Sequence, residues 1–327
     1  MKPRFAITAG DPYGIGPEIV LKSFILHPDL NTLCIPVIFG SRQVLEQMAR
    51  SLKIKVIFQS VDSLDQVEEQ GDLIHCYDVQ PSFTVSEFGR ICAEGGEMAY
   101  QGLQKAITAA QQKKVQAIVT APVNKESLRL AGVPYQDHTE MLTELTGSTR
   151  SMTLFVTGTL RIFFYTRHIP FAHIAGALNI NKVVIGLQDC QRNLKQIGFE
   201  QPRLALAALN PHAGEQGLFG REEIEILVPA VKKARQLGIL VDGPIPADSV
   251  FHLAKEGKFD AVMSLYHDQG HIAAKTLDFR RTVSLTLGLP FLRTSVDHGT
   301  AFDIAGQGIA DETSMVEAII AAHRYYW

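Results

Sequence analysis

Three histidines occupy matching places in this chain, each shortly after a brief apolar run. Leu160–Tyr165 leads into Thr166-Arg167-His168, Arg203–Leu209 into Asn210-Pro211-His212, and Ala261–Leu265 into Tyr266-His267-Asp268. An apolar run of this length that stops at polar residues reads as a buried strand ending in a loop. In open parallel sheets ligands collect outside the carboxyl ends of the strands, where residues distant in sequence can converge. Three neutral imidazoles suit a borderline divalent ion such as zinc or cobalt and leave coordination positions for a substrate. The chain has 11 histidines, and a single one after a strand is more often a loop hydrogen-bonder than a ligand. The repeated placement, on loops of the kind that carry function, is what raises the set above that ordinary reading. A fourth run, Val115–Thr120, leads into Ala121-Pro122-Val123-Asn124-Lys125.

Two further segments are rich in glycine. Gly10-Asp11-Pro12-Tyr13-Gly14-Ile15-Gly16-Pro17-Glu18 follows the first apolar run and enters a helix at Pro17, a favoured first-turn residue. Its spacing is not G-x-G-x-x-G, and no acidic residue about 20 positions on completes a dinucleotide-binding unit. Near the other end, the small residues of Asp297-His298-Gly299-Thr300-Ala301-Phe302-Asp303-Ile304-Ala305-Gly306 permit a tight loop against a flat ligand. A plain turn before a terminal helix explains them equally well.

The elements that must position these residues alternate between short apolar runs and helical periodicity. Besides the runs above, Phe5–Thr8, Pro36–Phe39 and Thr282–Leu287 read as strands. Ile224, Leu227, Val228, Val231, Ala234 and Leu237 keep helical spacing and stop before Gly238; Val184, Leu187, Cys190, Leu194 and Ile197 stop before Gly198. This is an α/β pattern with a largely parallel sheet, and 327 residues suggest two lobes. No repeat or linker marks a boundary. A net charge of −3 offers no field for nucleic acid or an anionic membrane, and no run approaches the roughly 18 apolar residues of a membrane span. The amino terminus lacks a signal peptide's apolar stretch, and Cys34, Cys76, Cys92 and Cys190 form no C-x-x-C pair. A reducing cytoplasm is the expected setting.

The Gly10–Glu18 and His298–Gly306 segments resemble the paired signatures of the decarboxylating isocitrate and isopropylmalate dehydrogenases. A fuller resemblance, over essentially the whole chain, is to the 4-hydroxythreonine-4-phosphate dehydrogenase family. It rests on Gly10–Glu18, Thr120–Lys125, His138-Thr139-Glu140, Asn210–Glu215, Pro246-Ala247-Asp248, Tyr266–Gly270 and Arg293–Gly306. The resemblance implies a two-lobed α/β/α architecture with the active site in the cleft between the lobes. Residues 1–150 and 275–327 would form the lobe with the cofactor loop; 151–274 would carry the metal site and the dimer contacts.

It further implies His168, His212 and His267 as ligands of one divalent ion, zinc above cobalt, magnesium or manganese. His138, Thr139, Lys275, Ser284 and Arg293 would bind substrate, and His298, Gly299, Thr300, Ala301 and Asp303 would hold NAD or NADP. Asp248, with His138, is the candidate for proton transfer. The implied reaction oxidises and decarboxylates 4-phosphooxy-L-threonine to 3-amino-2-oxopropyl phosphate, a step toward pyridoxine phosphate. Oxidation of a related sugar acid such as 4-phospho-threonate is the alternative. The family's homodimers imply a metal site shared between chains, with His267 completing a site begun by the partner's His168. Three positions depart from the family pattern: Ser284 replaces Asn, Arg167 replaces Thr, and Asp137 replaces Gly. They bear on which substrate is used.

Overall fold

Strands covered on both faces need apolar residues on both faces, and Phe5-Ala6-Ile7 and Ala117-Ile118-Val119 supply them, all fully buried. The computed structural model describes residues 2–67, 73–135 and 137–327. The chain divides into two compact units, Met1–Ser151 with Val283–Trp327, and Met152–Thr282. The second boundary lies beyond the expected 275, because a cut there would sever the last turn of the helix His267–Leu277. Lys275 therefore belongs to the same unit as His267.

The first unit begins with β1 (Arg4–Thr8), β2 (Ile35–Gly40), β3 (Ile57–Val61), β4 (Leu73–Asp78) and β5 (Ala117–Thr120). They lie in the order β3-β4-β2-β1-β5, all parallel. The helix Ala93–Gln111 packs on β1, β2 and β5, burying Leu103, Ala106, Ile107 and Ala110. The second unit holds β6 (Met152–Thr157), β7 (Leu160–Phe164), β8 (Leu204–Ala207), β9 (Val241–Ile245) and β10 (Ala261–Ser264). Their order is β6-β7-β10-β8-β9, parallel except for the β6–β7 hairpin. The chain then returns to the first unit as β11 (Val283–Leu287) and β12 (Leu292–Val296), with β12 parallel to β5 and antiparallel to β11.

The helix Ile180–Gln196 buries Val183, Val184, Leu187, Cys190 and Leu194, and the Asn179 side chain caps it by accepting from Lys182 N at 3.2 Å. The Ile224–Leu237 segment is not one α-helix. It opens as a π-helical turn over Glu223–Leu227 and becomes α-helical from Val228 to Gln236. Pro229 lies at the junction, where its missing N–H removes one helical bond. No helix among the described residues is long and apolar enough to cross a membrane.

The two glycine-rich segments meet within the first unit. Ile15 N donates to Thr300 O at 3.0 Å, and a Cβ on Gly14 would lie 2.9 Å from both Thr300 Cβ and Thr300 O. Gly14→Ala should therefore cost about 1–3 kcal/mol, the usual penalty of overpacking. Gly299→Ala, where a Cβ meets nothing within 4 Å, should stay within about 0.5 kcal/mol of the parent. Urea denaturation of both variants checks this, and equal losses would contradict the packing argument.

Candidate active site

In the second unit β7, β10 and β8 are neighbours running in parallel, so the loops after them leave from one edge. Tyr165 N donates to Ser264 O at 2.8 Å and Thr166 Oγ1 to Leu265 O at 2.7 Å, tying the first of these loops to the second. The His168 and His267 rings come to lie with centroids 5.7 Å apart. Two imidazoles on one tetrahedral zinc, with Zn–N near 2 Å, place their centroids roughly 5 Å apart. The pair is thus close to the spacing that one ion requires. His267 Nδ1–H donates to Asp268 Oδ1 at 2.6 Å, which leaves the Nε2 lone pair available, as a carboxylate does behind a metal-binding imidazole. His271, one turn further along the helix, stacks on His267 at 3.6 Å and 12° and donates from Nδ1 to His267 O at 2.8 Å. The Phe155 and Phe164 rings lie 4.3 and 4.6 Å from His271, so the stack is anchored in the core. Sequence reasoning passed over His271, although its i, i+4 relation to His267 was visible.

His212 does not join this pair. Among the described residues no three histidine, cysteine, aspartate or glutamate side chains are grouped closely enough to hold a metal ion. The backbone from His212 to Gln216 is left-handed throughout, with φ between 41° and 79°, and it sets the His212 ring 6.4 Å from Phe219. Such conformations cost roughly 1–2 kcal/mol per non-glycine residue, so the surroundings must hold the turn. The buried Glu223 carboxylate fixes the approach to the turn, accepting from Leu209 N, Asn210 N and Asn210 Nδ2 at 2.9, 2.8 and 2.9 Å. The single chain therefore brings two of the three expected ligands together. Those two are the histidines expected to come from different chains, and their meeting requires no second chain.

A cavity of about 690 Å³ runs beside the helices Ala247–Lys255 and His267–Leu277, lined in part by Asp248, Phe251, Tyr266, Asp268 and Ile272. Asp248 stands exposed on its wall, in the first turn of its helix. Lys275 is half-buried, its Nζ 5.2 Å from the centre of the Phe279 ring.

In the first unit β5, β12 and β11 are adjacent and bury Thr120, Arg293, Ser295, Ser284 and Thr286. Arg293 is only 5% exposed, and burial pulls its pKa down to about 10, which still leaves it cationic at neutral pH. No ion pair to it is found among the described residues, and its hydrogen bonds go to hydroxyls. Asp137 is the negative group whose field acts on it. That side chain also caps the helix His138–Thr146, accepting from Glu140 N at 3.0 Å, which gives the departure from glycine a local reason. His138 opens that helix with its Nε2 buried and unpartnered. Burial, and then the Arg293 charge, push its pKa well below 6.5, so the ring is neutral at neutral pH. Thr139 follows, half-buried.

The carboxy-terminal loop combines exposed and buried groups. Gly299 and Asp303 are exposed, Thr300 is buried, and Ala301 takes a φ of 40°. His298 Nδ1–H donates to Gly299 O at 3.0 Å and its Nε2 is buried without a partner. An open glycine, a carboxylate acceptor and an orphaned imidazole nitrogen suit a flat base with ribose hydroxyls.

A family model described as pyridoxal phosphate biosynthetic protein PdxA matches residues 32–322. The chain belongs to the PdxA family. A relative from Halalkalibacterium halodurans, provisionally named D-threonate 4-phosphate dehydrogenase, is 46% identical over 329 residues, covering 99% of this chain and 97% of its own. One from Fusobacterium nucleatum with the same provisional name is 43% identical, covering 99% and 98%. The crystal structure of 4-hydroxythreonine-4-phosphate dehydrogenase from Klebsiella pneumoniae superposes with a TM-score of 0.89 at 38% identity, covering 98% of each chain. Within this chain the Gly10–Glu18 loop precedes the matched residues, yet it packs against the carboxy-terminal loop inside them.

The His138 ring, half-buried with its Nε2 shut off from solvent, makes stability depend on pH. Its folded pKa lies below its unfolded value, so the contribution is present above about pH 6.5 and is lost as pH falls toward the depressed value. Wild-type unfolding free energy should fall more steeply between pH 7 and 5 than that of His138→Gln, by up to about 1.4 kcal/mol per pH unit. Urea titrations at pH 7, 6 and 5 measure the difference; parallel curves would contradict it.

Proposed function

We propose that this PdxA-family protein is an NAD(P)-dependent dehydrogenase of a four-carbon hydroxy acid phosphorylated on its terminal oxygen. It would oxidise the C3 hydroxyl and release the C1 carboxylate as carbon dioxide. The observation that carries the reading is the His168–His267 pair, with the second imidazole oriented by Asp268 and backed by His271. His212, on the neighbouring loop, is proposed as the third ligand of the same ion. When bound, the nicotinamide accepts hydride and a divalent ion, zinc first, stabilises negative charge on the substrate's oxygen as a Lewis acid.

The chain's own groups then have separable tasks. Arg293 binds an anionic end of the substrate, with Lys275, Ser284 and Thr139 as further contacts. Neutral His138 offers Nε2 to a substrate hydroxyl or phosphate without adding charge. Asp248 takes the proton of the C3 hydroxyl as hydride leaves C3. The C1–C2 bond then breaks and its electron pair stays on the carbon that later takes a proton. His298, Gly299, Thr300, Ala301 and Asp303 hold the adenosine end of the cofactor. Four free cysteines fit a cytoplasmic setting.

Two substrates share this chemistry and differ at C2. 4-Phosphooxy-L-threonine carries an amine and would yield 3-amino-2-oxopropyl phosphate for pyridoxine phosphate formation. 4-Phospho-threonate carries a hydroxyl and would yield dihydroxyacetone phosphate. The second is favoured by the 43% and 46% identity to relatives named for threonate phosphate, against 38% for the Klebsiella enzyme, and by Ser284 in place of the family's Asn. Steady-state assays with both acids, both cofactors and a metal panel should show nicotinamide reduction with at least a 10-fold higher kcat/KM for the hydroxy acid. Reversed preference would restore the amino acid as substrate, and no reduction with either would overturn the reading.

We also propose a homodimer that shares the metal site. Apolar side chains beside the candidate ligands, Phe171 at 77% and Leu218 at 73% exposure, would find cover in a second copy. Alanine variants of His168, His212 and His267, each inactive alone, should be mixed in pairs under subunit exchange. If one ligand comes from the other chain, two of the three mixtures recover about one quarter of wild-type activity, because half the dimers are mixed and one of their two sites is intact. No recovery in any mixture would show that one chain supplies all three.

A further inference from the structure

Among the described residues, the hydrogen bonds of the Arg293 guanidinium go to hydroxyls. Its Nε and Nη2 donate to Thr120 Oγ1 at 3.0 and 2.7 Å, and Nη1 donates to Thr286 Oγ1 at 3.1 Å. Thr120 Oγ1 thereby spends both acceptor positions on Arg293 and donates its own proton to Ser295 Oγ at 2.9 Å. Ser295 Oγ–H in turn donates to Thr120 O at 3.3 Å, which closes the network. Sheet register explains the fit: Thr286 is paired with Arg293 across β11–β12, and Ser295 with Thr120 across β12–β5. Residues 293 and 295 share one face of β12, so the four side chains are neighbours on one buried face. A guanidinium has five N–H groups, and three are used here, leaving one on Nη1 and one on Nη2.

We propose that Thr120 and Thr286, with Ser295 behind Thr120, are positioning residues that aim the remaining Nη1/Nη2 donors of Arg293 at an anionic group of the substrate. This rests on the reading of Arg293 as a substrate contact. The choice of hydroxyls has a physical consequence. A buried cation needs its N–H groups satisfied, and a carboxylate would do that most strongly, but it would also cancel the charge. Hydroxyl acceptors take three of the donors and leave the charge without a paired carboxylate in a site of low dielectric, where Asp137 acts through its field. A two-oxygen anion, phosphate or carboxylate, is then the partner that completes the guanidinium. The network makes Thr120 a binding determinant although it stands behind the arginine and keeps no acceptor position for the ligand.

The test uses the holoenzyme with 4-phospho-threonate, and inorganic phosphate as a competitive inhibitor. Thr120→Val keeps the side-chain shape and removes the acceptor. It should raise KM and the phosphate inhibition constant by about 10-fold or more while kcat stays within about 3-fold, because misaimed donors weaken binding before they affect hydride transfer. Thr120→Ser, which restores the hydroxyl, should bring both constants back toward wild type. Thr120→Asp, which adds the missing carboxylate, should weaken phosphate more than Val does. Thr286→Val removes a single bond and provides a milder variant should Thr120→Val fail to fold. Arg293→Met is the reference. Unchanged phosphate inhibition in Arg293→Met would refute the reading of Arg293 itself. A loss in Arg293→Met together with wild-type constants in Thr120→Val and Thr286→Val would overturn the positioning role, as would a lowered melting temperature with unchanged inhibition.

Discussion

The parallel pairing of β7 with β10 is the constraint on which the histidine pair depends. The register sets Ile162, Phe163 and Phe164 opposite Val262, Met263 and Ser264, and a slip of one residue would turn every side chain to the other face. Two side chains pin the strand ends. Ser264 Oγ donates to Phe163 O at 2.9 Å, and buried Gln269 accepts from Leu265 N and donates to Ala208 O, both at 2.7 Å. Gln269 thus fastens the end of β10 to the end of β8. Gly270 lets the following helix approach β7, since a Cβ there would lie 2.6 Å from Phe164 and 2.8 Å from Ile162. The same short segment that carries His267 therefore carries the residues that fix its distance from His168.

The first unit meets a different physical problem. Its central polar group is a cation almost out of water, and such a group is stable only if its donors are satisfied. The Thr120 and Thr286 hydroxyls, on the strands either side of Arg293, take three of its donors without neutralising the charge, and burial together with that charge keeps the His138 imidazole neutral. Under the proposed reading, such a group would draw an anion electrostatically and select among anions by geometry. The proposal thus assigns anion recognition to a buried arginine of one unit and metal binding to a histidine pair of the other.

Much of this was legible in the sequence, for identifiable reasons. β1, β2, β5, β8 and β10 are apolar nearly throughout, and β7 and β11 keep enough apolar residues around Arg161, Ser284 and Thr286 to read as strands. β3 and β9 were not legible: Ile57 of β3 is 65% exposed, and β9 carries Gly243-Pro244, so neither reads as a central strand. His168 and His267 declared themselves by following strand ends. The displacement of His212 did not, because a left-handed turn through Ala213, Glu215 and Gln216 runs against their backbone preferences and no local pattern of residue types announces it. Arg293 was singled out by family resemblance alone; its buried setting follows from strand pairing, which no local pattern encodes. Thr120 looked like the polar end of an apolar run, and only the register with Ser295 reveals its partners.

The proposed function turns on one ion held against both His168 and His267, with Asp268 behind the latter. Anomalous diffraction from crystals grown with zinc or cobalt, recorded on both sides of the metal's absorption edge, tests it most directly. A single strong peak is expected within about 2.0–2.2 Å of Nε2 of both His168 and His267, with His267 Nδ1 still on Asp268. A metal peak that touches only one of these two imidazoles, or neither, would contradict it.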